Sequence, residues 1–254
     1  MMLDAVIFDK DGTLFDFRAS WGAWTQSVLA EFAPDAEAAN RLGAVLGYDP
    51  ESRSFTRASP VIAMTTPEIA AILHGHLSAI TLDALNDRLN ALSAAAPMMP
   101  AVPLREVLSA LKTRGLRLGL ATNDTEYPAR VHLERAGVLD LFDYVVGCDS
   151  GWGGKPAPGQ LLEFLRRFDL APARVAMVGD SRHDLDAGRA AGMHAVAVLT
   201  GIATRNELTD HADVVLNDIA AIGPWIDRNG AVETRARAKT TLRSREQSAR
   251  LRAL

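Results

Sequence analysis

The chain reads AVIFDKDGTL from residue 5 to residue 14, and the rest of the sequence is arranged around this stretch. Its first four residues are apolar and rich in branched side chains, which is typical of a strand buried in a parallel sheet. Two carboxylates, Asp9 and Asp11, follow directly, and the chain then breaks at Gly12. Because ligands of an open parallel sheet bind beyond the carboxyl ends of its strands, we expect both carboxylates at the edge of a cleft.

Neighbouring carboxylates such as Asp9 and Asp11 repel each other unless a divalent cation neutralises them or one of them holds a proton. Both situations serve catalysis, because one carboxylate can attack phosphorus to form an aspartyl-phosphate while the other carries the proton of the leaving group. Gly12 lets the backbone approach a ligand closely, and Thr13 offers a hydroxyl and an N–H to an anion. An acidic turn after a strand is the alternative, and the later motifs decide between the two interpretations.

Short apolar runs alternate with helical patterns through much of the chain. The predicted strands lie at residues 5–8, 116–121, 144–147, 174–178, 195–198 and 213–216. Alternating strands and helices indicate right-handed crossovers and a parallel sheet covered by helices on both faces. The sequence therefore predicts an α/β, Rossmann-like core with a central parallel sheet.

Residues 17–100 interrupt this alternation with helical patterns and few strand signals. Apolar side chains recur there at helical spacing, and Pro97, Pro100 and Pro103 form a stiff return segment. We predict an α/β core domain of residues 1–16 and 101–230 and an inserted all-helical cap domain of residues 17–100. Residues 231–254 are predicted to form a basic tail that is disordered or a loose helix.

Composition places the chain among soluble globular proteins, with 48% apolar and 23% charged residues. One cysteine, Cys148, excludes an intramolecular disulfide, and no signal peptide or bilayer-spanning run is visible, so a cytoplasmic enzyme is expected. The tail carries seven basic and two acidic residues, a charge of +5. Because the whole chain has a net charge of −4, the remaining residues carry −9. An acidic body disfavours nucleic-acid binding.

Further polar clusters follow the predicted strands in chain order. Each has an ordinary structural interpretation as a turn, a solvated lysine or a helix N-cap. Their common placement at strand ends of one α/β sheet nevertheless favours a shared site. The clusters are Thr122-Asn123, Lys155-Pro156 and Gly179-Asp180.

These residue types together form a phosphoryl-transfer set. The Thr122 hydroxyl and nearby backbone N–H groups can hold phosphate oxygens, and Lys155 can offset the negative charge of the nucleophile and the phosphate. Asp180, with Asp184 through a water, supplies the hard oxygen ligands that Mg²⁺ prefers. Without such a cation, the phosphate ester and the carboxylates would repel each other strongly.

On these motifs the chain resembles the haloacid dehalogenase superfamily. The matching stretches are Asp9-Lys10-Asp11-Gly12-Thr13-Leu14, Thr122-Asn123, Lys155-Pro156 and Gly179-Asp180-Ser181-Arg182-His183-Asp184. The helical insertion is similar to the first-type cap of that superfamily. Within it, the chain most resembles the phosphoglycolate phosphatase-like hydrolases, and the resemblance covers roughly residues 3–225.

The resemblance implies a role for each matching residue. Asp9 is expected to be the nucleophile and Asp11 the acid and base, with Thr122 and Lys155 completing the catalytic set. Mg²⁺ is expected at the Asp9 carboxylate, the Asp11 backbone carbonyl and Asp180, with Asp184 beside them. The expected phosphate contacts are Gly12, Thr13, Thr122, Asn123 and Lys155. Arg18, just past the start of the insertion, is either a contact for a substrate carboxylate or a surface charge. The implied sheet order is 5-4-1-2-3, with the Asp9 strand in the centre.

These expectations converge on a Mg²⁺-dependent phosphatase that hydrolyses a small phosphate monoester, either phosphoglycolate or a sugar-phosphate-like metabolite, through an aspartyl-phosphate. A β-phosphoglucomutase-like phosphomutase would use the same core, and a catalytically silent binding protein would keep the fold alone. Asp11 argues against a dehalogenase, which resembles this chain without that acid. The expected partner is a small phosphorylated metabolite, with no membrane, and nucleic-acid binding is disfavoured.

Overall fold

The structure is a computed structural model, and it describes residues 3–77 and 79–228. The strands, in chain order, are β1 (Ala5–Phe8), β2 (Tyr48–Asp49), β3 (Ser54–Phe55), β4 (Arg117–Ala121), β5 (Tyr144–Val146), β6 (Val175–Gly179), β7 (His194–Val198) and β8 (Val214–Leu216). The helices are α1 (Phe17–Phe32), α2 (Ala36–Val45), α3 (Thr66–His74), α4 (Leu82–Ala95), α5 (Leu104–Thr113), α6 (Glu126–Arg135), α7 (Gly159–Phe168), α8 (Arg182–Ala190) and α9 (Arg205–Thr209).

Six of the strands form one parallel sheet in the order β5-β4-β1-β6-β7-β8. In the register, Val6 lies opposite Leu118 on one side and Ala176 on the other. The α/β core with a parallel sheet is therefore confirmed. The predicted order 5-4-1-2-3 matches these core strands read from β7 to β5, and β8 adds a sixth strand at one edge. The strand that carries Asp9 lies inside the sheet, between β4 and β6.

The sheet is buried on both faces because successive side chains of a strand point to opposite sides. Val6 and Phe8 pack into the hydrophobic cluster that includes Leu108 of α5. Ala5 and Ile7 pack into the opposite cluster, which includes Phe164 of α7. All four side chains of β1 are fully buried, so the strand is held on both faces just before the chain reaches Asp9.

The segment between β1 and α5 has a hydrophobic cluster of its own, which joins buried side chains of α1, α3 and α4 such as Trp24, Leu73 and Leu89. Its two connections to the core run side by side. The Asp16 N–H donates to the Met99 carbonyl over 2.8 Å, and the Ala101 N–H donates to the Leu14 carbonyl over 2.9 Å.

Contrary to the prediction, this segment is not purely helical. The antiparallel hairpin β2–β3 pairs Tyr48 with Phe55 within residues 17–100. Strands of two residues are too short to show an alternating pattern, so sequence periodicity cannot reveal them.

Two other expectations concern the tail and the membrane. The predicted basic tail, residues 231–254, lies outside them. Within residues 3–77 and 79–228, we find no helix with the length and apolar character that a bilayer crossing requires.

Candidate active site

The ends of three neighbouring strands meet at one edge of the sheet. Asp9 follows β1, Thr122 follows β4 and Asp180 follows β6, and each of these side chains is buried. Lys155 reaches the same place from the loop between β5 and α7. The structure thus brings together, around one narrow cleft of about 40 Å³, the predicted site residues Asp9, Asp11, Thr122, Asn123, Lys155, Asp180 and Asp184.

The Lys155 ammonium connects two carboxylates. Its Nζ donates to Asp9 Oδ1 and to Asp184 Oδ1, each over 2.6 Å. All three side chains are less than one tenth exposed, and charge-assisted hydrogen bonds in such surroundings are short and strong. The two carboxylates hold the pKa of Lys155 above its ordinary value even though burial opposes this. Lys155 is therefore cationic and holds the expected nucleophile in place.

Asp9, Asp180 and Asp184 form a set of oxygen donors. One carboxylate oxygen from each residue lies within 4.8 Å of the other two. When all three carboxyl groups are ionised, they and the Lys155 ammonium carry a net charge of −2, which one divalent cation would neutralise. Oxygen-only donors suit Mg²⁺, so the residues present fit the predicted ion. The side chain of Asp11 is not part of this set, and the resemblance implies only its backbone carbonyl there.

Two glycines leave room for Asp180. A Cβ atom on Gly12 would lie 2.4 Å from Asp180 Oδ2, and a Cβ atom on Gly201 would lie 1.6 Å from the same oxygen. Either distance is far shorter than a normal contact. Gly12 also adopts a φ of +80°, which glycine tolerates at little cost. Glycine at both positions therefore lets the Asp180 carboxylate occupy its place in the set.

Burial raises the pKa of two of these carboxyl groups, Asp9 and Asp180. Desolvation raises the pKa of Asp9 to about 7, although the Lys155 charge opposes the rise. Desolvation also raises the pKa of Asp180 well above its ordinary value, and the Asp184 and Asp9 charges add to that effect. A bound divalent cation acts in the opposite direction and favours the ionised forms.

Lys10, which stands between Asp9 and Asp11 in the sequence, is a second buried cation. The Lys10 side chain is fully buried, and its Nζ lies 2.8 Å from each oxygen of Asp11 and 3.1 Å from Asp124 Oδ2. His132 Nδ1 is 3.2 Å away. Burial, aided by the Lys10 charge, lowers the pKa of His132 to about 4, so this imidazole is neutral near pH 7.

Sequence reasoning missed Lys10, Asp124 and His132. One signal was available. Lys10 comes two residues after a buried strand, and a lysine that is buried there requires buried partners. The partners themselves could not be read from the sequence, since His132 is 122 residues away.

Several predicted phosphate contacts have other tasks in the structure. The Asn123 Nδ2 group donates to the Ala63 and Lys155 carbonyls, over 2.7 and 2.9 Å, so its N–H donors are taken by backbone. The Gly12 N–H donates to the Phe15 carbonyl over 2.8 Å. These two residues shape the site instead of offering those donors to phosphate. Thr13 is buried, and its Oγ1 has no hydrogen-bond partner.

Of the two interpretations of Arg18, a substrate contact or a surface charge, its placement in the structure favours the surface charge. Helix α1 begins at Phe17, capped by the Asp16 carboxylate, which accepts from the Ala19 N–H over 2.8 Å. The helix turns Phe17 and Trp21 inward, so Arg18 is left exposed and is not among the residues that line the cleft. The insertion instead contributes, to that lining, Trp21, Val61, Ile62, Ala63, Met64, Thr66 and Ile69.

Comparison with known proteins agrees with this geometry. A family model described as haloacid dehalogenase-like hydrolase matches residues 3–192. The chain is 37% identical over 120 residues to the phosphoglycolate phosphatase of Rhodospirillum rubrum, an alignment that covers 47% of this chain and 50% of that protein. The chain thus spans about half the length of that relative.

A second relative is the N-acetylmuramic acid 6-phosphate phosphatase of Pseudomonas aeruginosa. It is 27% identical over 230 residues, which cover 90% of this chain and 96% of that protein. Among solved structures, the HAD phosphatase of Thermococcus onnurineus has a TM-score of 0.60 at 23% identity, covering 87% of this chain and 96% of that one. The family model matches well over half of the chain, and the chain therefore belongs to the haloacid dehalogenase-like hydrolases.

Proposed function

We propose that this protein is a Mg²⁺-dependent phosphatase that hydrolyses a small phosphate monoester through an aspartyl-phosphate on Asp9. The observation that carries the proposal is the Asp9 carboxylate, fixed by Lys155 and adjoined by Asp180 and Asp184. A carboxylate held in this way, at the bottom of a cleft and beside a cation, suits attack on phosphorus.

The reaction has two steps. An Asp9 oxygen forms a bond to phosphorus while the bond from phosphorus to the leaving oxygen breaks, and Asp11 gives its proton to that oxygen. Water then attacks the aspartyl-phosphate, Asp11 takes a proton from the water, and inorganic phosphate leaves with Asp9 restored. Lys155 offsets the charge of the phosphate oxygens in both steps.

Asp9, Asp180 and the Asp11 backbone carbonyl, with Asp184 beside them, are the groups that we propose to hold the metal ion. When bound, Mg²⁺ would supply positive charge against the phosphate oxygens. We further propose that residues 17–100 act as a cap domain that excludes bulk water from the cleft, and that the enzyme works in the cytoplasm, in keeping with its single cysteine.

The lining of the cleft favours one substrate class. Among the described residues that line the inner cleft, Lys155 is the one lysine or arginine, and the insertion contributes mainly apolar side chains, such as Trp21, Ile62 and Met64. A carboxylate placed next to the phosphate, as in phosphoglycolate, would be desolvated there with no lysine or arginine of its own, because Lys155 is held by Asp9 and Asp184. We therefore propose that the part of the substrate next to the phosphate group carries no charge.

A wider groove of about 620 Å³ adjoins the inner cleft and shares Ile62, Met64 and Lys155 with it. Its lining includes charged groups, among them Arg57 and Arg182. This groove has room for the more polar, distant part of a sugar-phosphate-like substrate, which supports that class over phosphoglycolate.

The test is a screen of phosphorylated metabolites for released inorganic phosphate, with Mg²⁺ and with EDTA. We expect sugar phosphates to be hydrolysed faster than phosphoglycolate, EDTA to stop the reaction and Mg²⁺ to restore it. Asp9→Asn should abolish turnover while the protein stays folded. Turnover retained in this variant would contradict the proposal, and conversion of a sugar phosphate to its isomer with little phosphate release would identify a mutase.

A further inference from the structure

The buried ammonium of Lys10 needs several partners, because an unpaired charge away from water is very costly. Both oxygens of Asp11 lie 2.8 Å from its Nζ, in a two-point contact. Asp124 Oδ2 is 3.1 Å away, and the Trp21 ring centroid lies 5.4 Å from the same nitrogen. Lys10 is thus held in a single position, and its contact with Asp11 restricts the rotation of that carboxylate.

Asp124 anchors this contact to the inserted segment. Its Oδ1 accepts from the Thr125 N–H over 2.8 Å and from Thr66 Oγ1 over 3.3 Å. Its Oδ2 accepts from Ser93 Oγ over 3.0 Å and from Lys10. Thr66 begins α3 and Ser93 lies in α4. One carboxylate therefore joins the first motif of the core to two helices of the insertion.

His132 supports the same arrangement from the core side. Its Nδ1 faces Lys10 Nζ at 3.2 Å, and its Nε2 lies 2.8 Å from the Ser93 carbonyl. A neutral imidazole satisfies both contacts when Nδ1 accepts and Nε2 donates. The charged groups of Lys10, Asp11 and Asp124 and both ring nitrogens of His132 thereby have partners, and a buried network satisfied in this way makes its members rigid.

Proton transfer depends on where the acid is placed, and small displacements are costly. We propose that Lys10 is a positioning residue that holds the Asp11 carboxylate towards the leaving oxygen and is itself anchored to the inserted segment through Asp124. This inference rests on the proposed function, in which Asp11 is the acid and base. The side chain of Asp11 keeps 14% of its surface exposed, so it remains open to the cleft while Lys10 holds it.

The leaving group separates positioning from a merely structural role. An alkoxide leaves only with a proton, whereas p-nitrophenolate is a stable anion that leaves without one. Loss of a correctly placed acid therefore slows phosphoryl transfer from alkyl phosphates and leaves transfer from p-nitrophenyl phosphate almost unchanged. The ratio kcat/KM reports this first step, and kcat also includes hydrolysis of the aspartyl-phosphate.

The experiment compares the full-length Lys10→Met variant with the wild type, in Mg²⁺, on the best alkyl phosphate of the screen and on p-nitrophenyl phosphate. We expect kcat/KM to fall by about 100-fold for the alkyl phosphate and by less than about threefold for p-nitrophenyl phosphate. Because Asp11 also activates water, the variant should release a burst of p-nitrophenol close to one equivalent before a slow steady state.

A matched control is available in Lys112→Met. Lys112 pairs with Asp143 over 2.8 Å, and both side chains are partly exposed. Asp143 also accepts from the Leu118 N–H near the start of β4, at the end of that strand away from the cleft. This variant should leave the ratio between the two substrates unchanged. If Lys10→Met does not fold, as judged by circular dichroism, Lys10→Met combined with Asp124→Asn removes one positive and one negative charge and is compared in its place.

Equal losses of kcat/KM on both substrates, or no loss on the alkyl phosphate, would overturn the inference. The failure of the proposed function gives a different result, because the wild type itself would then release no phosphate from either substrate. A wild type that hydrolyses both, with a variant that discriminates between them, supports both statements.

Discussion

Replacing Asp9 by asparagine should make the metal-free protein more stable while it removes activity. The pKa of Asp9 is about 7 in the folded chain, against an ordinary value of 3.8. This rise of roughly three pKa units corresponds to about 4 kcal/mol of stability lost once the group is ionised. Asparagine has nearly the same shape and no charge, and its Oδ1 can still accept from Lys155, so most of the loss should be recovered.

The effect depends on pH in a defined direction. Below about pH 3.8, Asp9 is protonated in both the folded and the unfolded chain, so its substitution has little effect there. As the pH rises above 3.8, Asp9 ionises first in the unfolded chain, which stabilises the unfolded chain relative to the folded one. In the folded chain Asp9 ionises only near pH 7. Above that pH the whole penalty is present. The stabilisation by Asp9→Asn should therefore be large at pH 8 and small at pH 4.

The assay is thermal unfolding followed by circular dichroism in EDTA, at pH 4 and at pH 8. For a chain of this length, a recovered 4 kcal/mol corresponds to a rise in Tm of about 10 °C at pH 8. Added Mg²⁺ should then raise the Tm of the wild type more than that of the variant, because ligand binding stabilises the folded state in proportion to affinity.

Asp140→Asn is the control for the removal of a carboxylate. Asp140 is exposed and pairs with Arg105 over 2.9 Å, which lowers the pKa of Asp140. This variant should gain no stability at pH 8, and its response to Mg²⁺ should equal that of the wild type. A drop in Tm for Asp9→Asn in EDTA at pH 8 would refute the reasoning.

Two other substitutions test the site from different sides. Lys155→Met leaves the Asp9 and Asp184 carboxylates without their buried cation, so it should cost about 3–5 kcal/mol in metal-free stability, measured by urea unfolding in EDTA, and a loss below 1 kcal/mol would argue against the pair. A Cβ atom at Gly201 would lie 1.6 Å from Asp180 Oδ2, so Gly201→Ala should displace the Asp180 carboxylate and raise the Mg²⁺ concentration for half-maximal activity by about tenfold or more. An unchanged Mg²⁺ requirement would argue against Asp180 as a metal ligand.

Much of the core was predictable because its signals are local. A strand buried on both faces is apolar along nearly its whole length, and β1, β6 and the part of β4 after Arg117 were each visible as such runs. The polar residues that follow these strands had to meet at one edge, because parallel strands end on the same side of a sheet. Fold class and the grouping of Asp9, Thr122 and Asp180 follow from these two facts.

The insertion was less predictable, because its residues act through orientation. Whether Arg18 faces the cleft depends on the turn at which α1 begins and on the face that Trp21 and Trp24 bury. A difference of one residue in the start of a helix rotates each side chain by about 100°, and sequence patterns do not locate helix ends that closely. The hairpin β2–β3 was missed because it is too short to show a period.

The order of residues along this chain was sufficient to establish an α/β core with acidic strand ends. Apolar periodicity, and the glycines and prolines that end helices and strands, are properties of neighbouring residues. It could not reveal that Lys10 lies between Asp11 and Asp124, that the Asn123 amide is occupied by backbone carbonyls, or that the insertion lines its side of the cleft mainly with apolar side chains. Those features depend on contacts between residues tens to more than a hundred positions apart, and such contacts exist only once the strands, the insertion and the helices have packed together.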